Sequence, residues 1–153
     1  MARFHSLTVA AIEKQTDHSV AITFHVPDAL REDYRFTQGQ HLTLRSLIDG
    51  QDVRRSYSIC AGVDDDQLRV AVKEIDGGVF SGFANKKLTV GTALEVMTPM
   101  GHFFTPLDPG NAKTYVGFAA GSGITPMLSI IKTTLAREPN SRFHLFYGNR
   151  SVG

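Results

Sequence analysis

Apolar and polar residues alternate in short stretches through the first two-thirds of the chain. Val20, Ile22, Phe24 and Val26 take every second position, and Leu7 and Val9 do the same before them. Period two is the mark of a strand with one buried face. His41-Leu42-Thr43-Leu44, Tyr57-Ser58-Ile59, Leu68-Arg69-Val70-Ala71-Val72 and Leu94-Glu95-Val96-Met97 repeat it, separated by Thr16-Asp17, Pro27-Asp28, Asp49-Gly50, Asp64-Asp65-Asp66 and Gly91-Thr92. Asp-Gly is a strong signal for a tight hairpin, although the strands it would join here read as unequal in length. Many short strands joined by such turns predict a small antiparallel barrel or sandwich. One short helix, Phe80 to Lys86, interrupts them between Gly77-Gly78 and Gly91.

The pattern changes after Thr105, where Pro106, Pro109 and Gly110 mark a linker. Thr114 to Ala120 is a continuous apolar run, which predicts a strand buried on both faces. Thr125 is placed to cap a helix with Pro126 at its first position and with Met127, Leu128, Ile130, Ile131 and Leu135 as its apolar face. Phe143 to Tyr147 is a second buried strand. The result is β–α–β, the opening unit of a doubly wound parallel sheet. The stretch 111–153 is much shorter than the ~100–150 residues of a typical domain, so the remainder of this unit is expected to lie outside the chain, leaving strand edges and one sheet face uncovered.

Composition narrows the function classes. Sixteen Lys+Arg against fifteen Asp+Glu give a net charge of +1, which argues against broad nucleic-acid or membrane-surface binding. A single cysteine, Cys60, excludes an internal disulfide and a cysteine-ligated iron–sulfur site; it reads as a small buried residue. The six histidines show no paired spacing, so no metal site is expected. No apolar run reaches the ~18 residues of a membrane helix, and Met1 to Lys14 lacks the pattern of a secretory signal, so a cytoplasmic setting is expected.

Three motifs carry chemistry. In Arg55-Ser56-Tyr57-Ser58, strand geometry projects Arg55 and Tyr57 to one face and Ser56 and Ser58 to the other. The arginine can fork to a pyrophosphate, the tyrosine offers a ring for stacking, and Ser58 a donor for a ring nitrogen. Taken alone, the tetrapeptide fits an edge strand with a solvated arginine and a core tyrosine better than a cofactor site. Gly77-Gly78-Val79-Phe80-Ser81 opens a helix whose free N–H groups attract phosphate, with the Ser81 hydroxyl as a further donor. Val72, Lys73 and Ile75 lead into it. Gly121-Ser122-Gly123-Ile124-Thr125-Pro126 lies between a buried strand and a helix, as a dinucleotide turn requires, with Pro126 where the usual fingerprint has its third glycine.

In this order the motifs, together with Phe36 to Thr43, Leu94 to Phe103 and Tyr147-Gly148-Asn149-Arg150, resemble the ferredoxin–NADP reductase superfamily. The texture is nearest to reductases of bacterial phenylacetyl-CoA epoxidase systems. The resemblance implies a β + α/β chain. A six-stranded antiparallel FAD-binding barrel occupies residues 1–108, and the opening βαβ unit of a doubly wound NAD(P)-binding domain occupies 111–153. It implies that Arg55 and Ser56 contact the flavin, that Tyr57 and Ser58 serve the reacting ring, with Ser58 near flavin N5, and that Gly77, Gly78, Val79, Phe80 and Ser81 hold the pyrophosphate beside Val72, Lys73 and Ile75. Gly121, Ser122, Gly123, Ile124, Thr125 and Pro126 would meet the nicotinamide dinucleotide, and Arg150 the 2′-phosphate of NADPH, although NADH is not excluded. The resemblance also implies that hydride would pass from NAD(P)H to FAD and single electrons then to a [2Fe–2S] centre, which such relatives carry in a further C-terminal domain and which would serve an oxygenase or epoxidase component. Gln38 stands where relatives have proline. Two readings of other classes remain: an FAD-binding electron-transfer subunit completed by a partner, and a cofactor-free β-barrel interaction module. Within the family, a flavohaemoprotein or the reductase of another oxygenase is the alternative.

Overall fold

The structure, a computed structural model, describes residues 2–150. Six strands, β1 (Phe4–Thr16), β2 (Ser19–His25), β3 (His41–Ile48), β4 (Gln51–Ser58), β5 (Leu68–Lys73) and β6 (Ala93–Met97), form one antiparallel sheet in the order β4-β3-β6-β1-β2-β5. The sheet curls until its two outer strands approach. The Cys60 N–H donates to the Arg69 carbonyl at 2.9 Å, and Ile59 bridges Val70. Alternation works as predicted: Leu7, Val9, Ile22, Leu42, Leu44, Val70, Val72, Leu94 and Val96 point inward and are almost wholly enclosed. Tyr34 closes one end, its hydroxyl donating to the Val96 carbonyl at 2.6 Å.

The β3–β4 hairpin corrects the expectation of unequal strands. Both have eight residues, paired without a slip from Ile48–Gln51 to His41–Ser58. Asp49 (φ +48°) and Gly50 (φ +79°) both take the left-handed conformation of the primed turn that matches strand twist. The register brings Ser58 beside His41, which in turn pairs with Met100 through N–H···O bonds of 2.8 and 3.0 Å.

Helix α1 (Val79–Lys86) lies across β4 and β5, burying Phe80 and Ala84. After the linker, β7 (Thr114–Ala120) and β8 (Arg142–Gly148) run parallel on either side of α2 (Ile124–Arg137). Three expectations are corrected here. Neither parallel strand is buried on both faces: within β7 only Gly117 is buried, with Val116 and Phe118 exposed, and within β8 Leu145, Phe146 and Tyr147 are exposed, because α2 covers one sheet face and nothing among the described residues covers the other. The buried positions of α2 are Met127, Ser129, Thr133 and Thr134, while Leu128 and Leu135 are exposed. This helix is packed between the sheet and a polar barrel loop, so part of its enclosed face is polar. Thr125 does not cap α2. A 3₁₀ turn at Gly121–Gly123 runs directly into the helix, Gly123 is the cap residue, and the Thr125 hydroxyl donates to the Ser122 carbonyl at 2.9 Å. Pro126 becomes the third helical residue, where its missing N–H still falls among the unpaired ones.

Candidate flavin and nicotinamide site

One end of the barrel gathers the first two motifs. Tyr57 and Arg55 lie on the face of β4 that also carries Val53, opposite Leu42 and Leu44. The half-buried Tyr57 ring packs against Phe80 of α1 with centroids 5.7 Å apart. Burial pushes its phenol up, and the Arg55 charge pulls the other way. Arg54 pairs with Asp52, whereas Arg55 pairs with no carboxylate among the described residues and donates to the Arg54 carbonyl at 2.6 Å. An exposed guanidinium turned onto its own backbone is available to an anionic ligand. Ser56 is on the other face and shares a 2.9 Å hydrogen bond with Thr43. Ser58 is half-buried at the end of the same strand.

The glycine turn is built from its own backbone. Gly77 takes φ +70°, and Gly78 donates to the Ile75 carbonyl at 2.8 Å. The Ser81 hydroxyl accepts from the Ile75 N–H at 3.1 Å and donates to the Gly78 carbonyl at 3.4 Å. It is therefore spent on the loop, a different use from the free phosphate donor expected of it. Asn85, one turn further, donates to the carbonyls of Ser81 (2.9 Å) and Val72 (3.1 Å) and ties the turn to β5. Sequence reasoning missed Asn85; its spacing of four residues from Ser81 was the available signal. Val72 is enclosed in the core, while Lys73 and Ile75 are exposed at the lip. Because the first helical bond runs from Gly82 to Gly78, the N–H groups of Val79, Phe80 and Ser81 point out of the helix end unpaired. No side chain fits at Gly78, where a Cβ would lie 2.9 Å from the Ile75 carbonyl oxygen and closer still to Ser81 Oγ.

The third motif stands at the carboxyl edge of the parallel pair. Gly121 (φ +54°) and Gly123 have open space where a Cβ would be. Tyr147, at the end of β8, donates to the Gly121 carbonyl at 3.1 Å, and Asn149 donates to the Tyr147 hydroxyl at 2.9 Å, which sets the exposed Arg150 on the same edge. Ligands of open α/β sheets bind outside this edge.

Residues 6–105 match the model of the oxidoreductase FAD-binding domain and residues 118–152 that of the oxidoreductase NAD-binding domain. The chain belongs to the FAD-binding oxidoreductase family. Among members of that family it is 52% identical over 151 residues to a subunit of the 1,2-phenylacetyl-CoA epoxidase of Escherichia coli (strain K12), covering 99% of this chain and 42% of that one. The structure is similar to an Amycolatopsis cytochrome P450 reductase (TM-score 0.82, 27% identity, 99% of this chain and 44% of the other). It is also similar to phthalate dioxygenase reductase, which transfers electrons from pyridine nucleotides to [2Fe–2S] (TM-score 0.76, 30% identity, 97% and 44%). The chain thus spans less than half the length of these relatives. The FAD-binding assignment agrees with the chemistry of the site. A pyrophosphate needs unpaired N–H donors, a cation and a backbone it can approach, and α1, Arg55 and Gly78 supply them. No helix among the described residues is long and apolar enough to cross a membrane.

Proposed function

We propose that this chain is the flavin-binding and nicotinamide-docking part of an NAD(P)H-dependent reductase that serves an oxygenase or epoxidase of the phenylacetyl-CoA type in a cytoplasmic setting. The observation that carries the reading is the packing of half-buried Tyr57 against Phe80 at the open end of α1, two residues along the strand from Arg55, which has no carboxylate partner among the described residues. In this reading residues 1–108 form the FAD domain and 111–153 the start of the NAD(P) domain. FAD held there would supply the conversion of hydride from NAD(P)H into single electrons for a [2Fe–2S] centre elsewhere in the protein or its complex.

The residues divide the work by chemistry. Val79, Phe80 and Ser81 donate backbone N–H groups to the pyrophosphate, and Gly78 lets it approach. Arg55 neutralises its charge, with Ser56 on the other face fixing the strand through Thr43. Tyr57, braced by Phe80, offers its ring to the isoalloxazine and keeps water from one side of it, while Ser58 presents a donor to the ring edge. Val72, Lys73 and Ile75 form the lip. Gly121 to Pro126 receive the nicotinamide dinucleotide, with Thr125 facing the flavin and Arg150 favouring a 2′-phosphate. The 52%-identical relative, by its name one subunit of an epoxidase, supports a multicomponent oxygenase partner. The test is the visible spectrum of the purified chain, with the released cofactor identified by mass. Bound FAD is expected; a colourless protein that takes up no added FAD overturns the reading.

A further inference from the structure

The loop 62–66 between β4 and β5 is joined to one stretch of α2 by three polar contacts. Arg137 grips Asp64 with both ends of its fork, at 2.9 and 3.0 Å. Lys132 pairs with Asp65, whose carboxylate also accepts the Gly62 N–H at 2.9 Å. The Thr133 hydroxyl accepts the Val63 N–H at 3.0 Å. The fit is close: a Cβ on Gly62 would lie 3.1 Å from the Lys132 Cβ. Arg137 and Lys132 hold the carboxyls of Asp64 and Asp65 below their ordinary values. Next to Arg137, the enclosed Glu138 gathers the N–H of Asp108, the amide of Asn111 and the hydroxyls of Tyr115 and Ser141, which anchors the same helix end to the linker and to β7.

We propose that Asp64–Arg137 and Asp65–Lys132 form a latch that positions the nicotinamide loop against the flavin site by setting the tilt of α2. The inference rests on the function proposed above and goes further, because it assigns a role to residues outside the cofactor site. The latch grips the C-terminal part of α2, and the Gly121–Thr125 loop is at the other end of its fourteen residues, about 20 Å away at 1.5 Å per residue. About Ile130, whose side chain approaches Gly39 of the barrel and which lies six residues, about 9 Å, from the start of the helix, a tilt of about 6° moves that loop by about 1 Å, and a displacement of that size costs a reaction about 10²-fold. Each ion pair is half-exposed and weak by itself. Acting together from one loop they oppose rotation about the close approach of Gly39 to Ile130, where a Cβ on the glycine would lie 3.3 Å from Ile130 Cδ1.

The test reads orientation and rate separately. Spin labels at Gln15→Cys and Arg142→Cys, in a Cys60→Ala background with FAD added, report the distance between barrel and β8. The native chain is expected to give one narrow distribution, Asp64→Ala/Asp65→Ala one several ångströms broader, and the exchanged pair Asp64→Arg/Arg137→Asp a narrow one again. In the full-length reductase, the double alanine variant is expected to reduce flavin from saturating NADPH at least tenfold more slowly, with FAD content, melting temperature and the KM for NADPH held within about twofold. An unchanged distance distribution overturns the proposal, as does broadening that the exchange does not reverse or a rate within twofold of native. If the unmutated reductase is not reduced by NADPH, the proposed function fails, and the distance measurement still decides the latch.

Discussion

Gly78→Ala puts the proposed cradle to its most direct test. The added Cβ would sit 2.9 Å from the Ile75 carbonyl oxygen and nearer still to Ser81 Oγ. Both atoms already hold the turn together through the Gly78–Ile75 and Ile75–Ser81 bonds, so neither can withdraw without breaking one. Overpacking of this kind costs about 1–3 kcal/mol, or roughly 3–9 °C in melting temperature for a chain of this length. The N–H groups of Val79 to Ser81 move with the turn. Loss of a single hydrogen bond to a charged phosphate costs about 1.5–3 kcal/mol, which weakens FAD binding by roughly 10- to 100-fold. Gly82→Ala is the internal control. Nothing lies within 4 Å of its added methyl, and alanine inside a helix stabilises by roughly 0.5–1 kcal/mol. Thermal melting of the apo chain and fluorescence titration with FAD read both quantities. A Gly78→Ala chain that melts like the native one and binds FAD within twofold of it would refute the reasoning.

Arg55→Ala removes a cation with no carboxylate partner, so apo stability is expected to stay within about 0.5 kcal/mol while FAD affinity falls at least tenfold; titration beside a melting curve separates the two. Burial pushes the Glu138 carboxyl up, but the hydrogen bonds from Asn111, Ser141, the Asp108 N–H and Tyr115 outweigh it and hold it down at about 2, below the ordinary 4.5. A carboxylate depressed by folding stabilises the chain above its unfolded value and stops doing so as pH falls through its folded value. Melting temperatures are therefore expected to drop between pH 4.5 and 2 more steeply for the native chain than for Glu138→Gln. Tyr34→Phe leaves the Val96 carbonyl without its buried donor and is expected to cost about 1–2 kcal/mol by urea denaturation. Burial also pushes the Tyr34 phenol up to about 12, so a tyrosine absorbance titration is expected to lose a step near that pH in the variant.

The barrel was legible because its inner face is apolar and its outer face polar, so Val20-Ile22-Phe24 and Leu68-Val70-Val72 announce their own register. The glycine turns were legible because backbone geometry demands the residue, as at Gly77 with φ +70°. What stayed hidden depends on partners far away in the chain. Ser129 and Thr133 read as the polar face of an amphipathic helix, yet they are enclosed, and Thr133 meets the backbone of the Gly62–Asp66 loop. Glu138 draws its four partners from Asp108, Asn111, Tyr115 and Ser141, a set that no local period links. Gln38 is buried and donates to the Thr105 carbonyl at 3.2 Å across the barrel–linker boundary, a bond that a proline at this position could not make.

The turn at Gly77–Ser81 also has a kinetic consequence. Its hydrogen bonds from Ser81, Asn85 and Gly78 are internal to the protein, so its donors stand in position before any phosphate arrives. A site of this kind spends little of its binding energy on ordering itself. If this turn holds the cofactor as proposed, association is expected to be governed by diffusion and by attraction to Arg55, and to slow as salt screens that charge. Substitutions within the turn are then expected to act mainly on the residence time of the cofactor rather than on the speed of its capture, which stopped-flow binding of FAD checks.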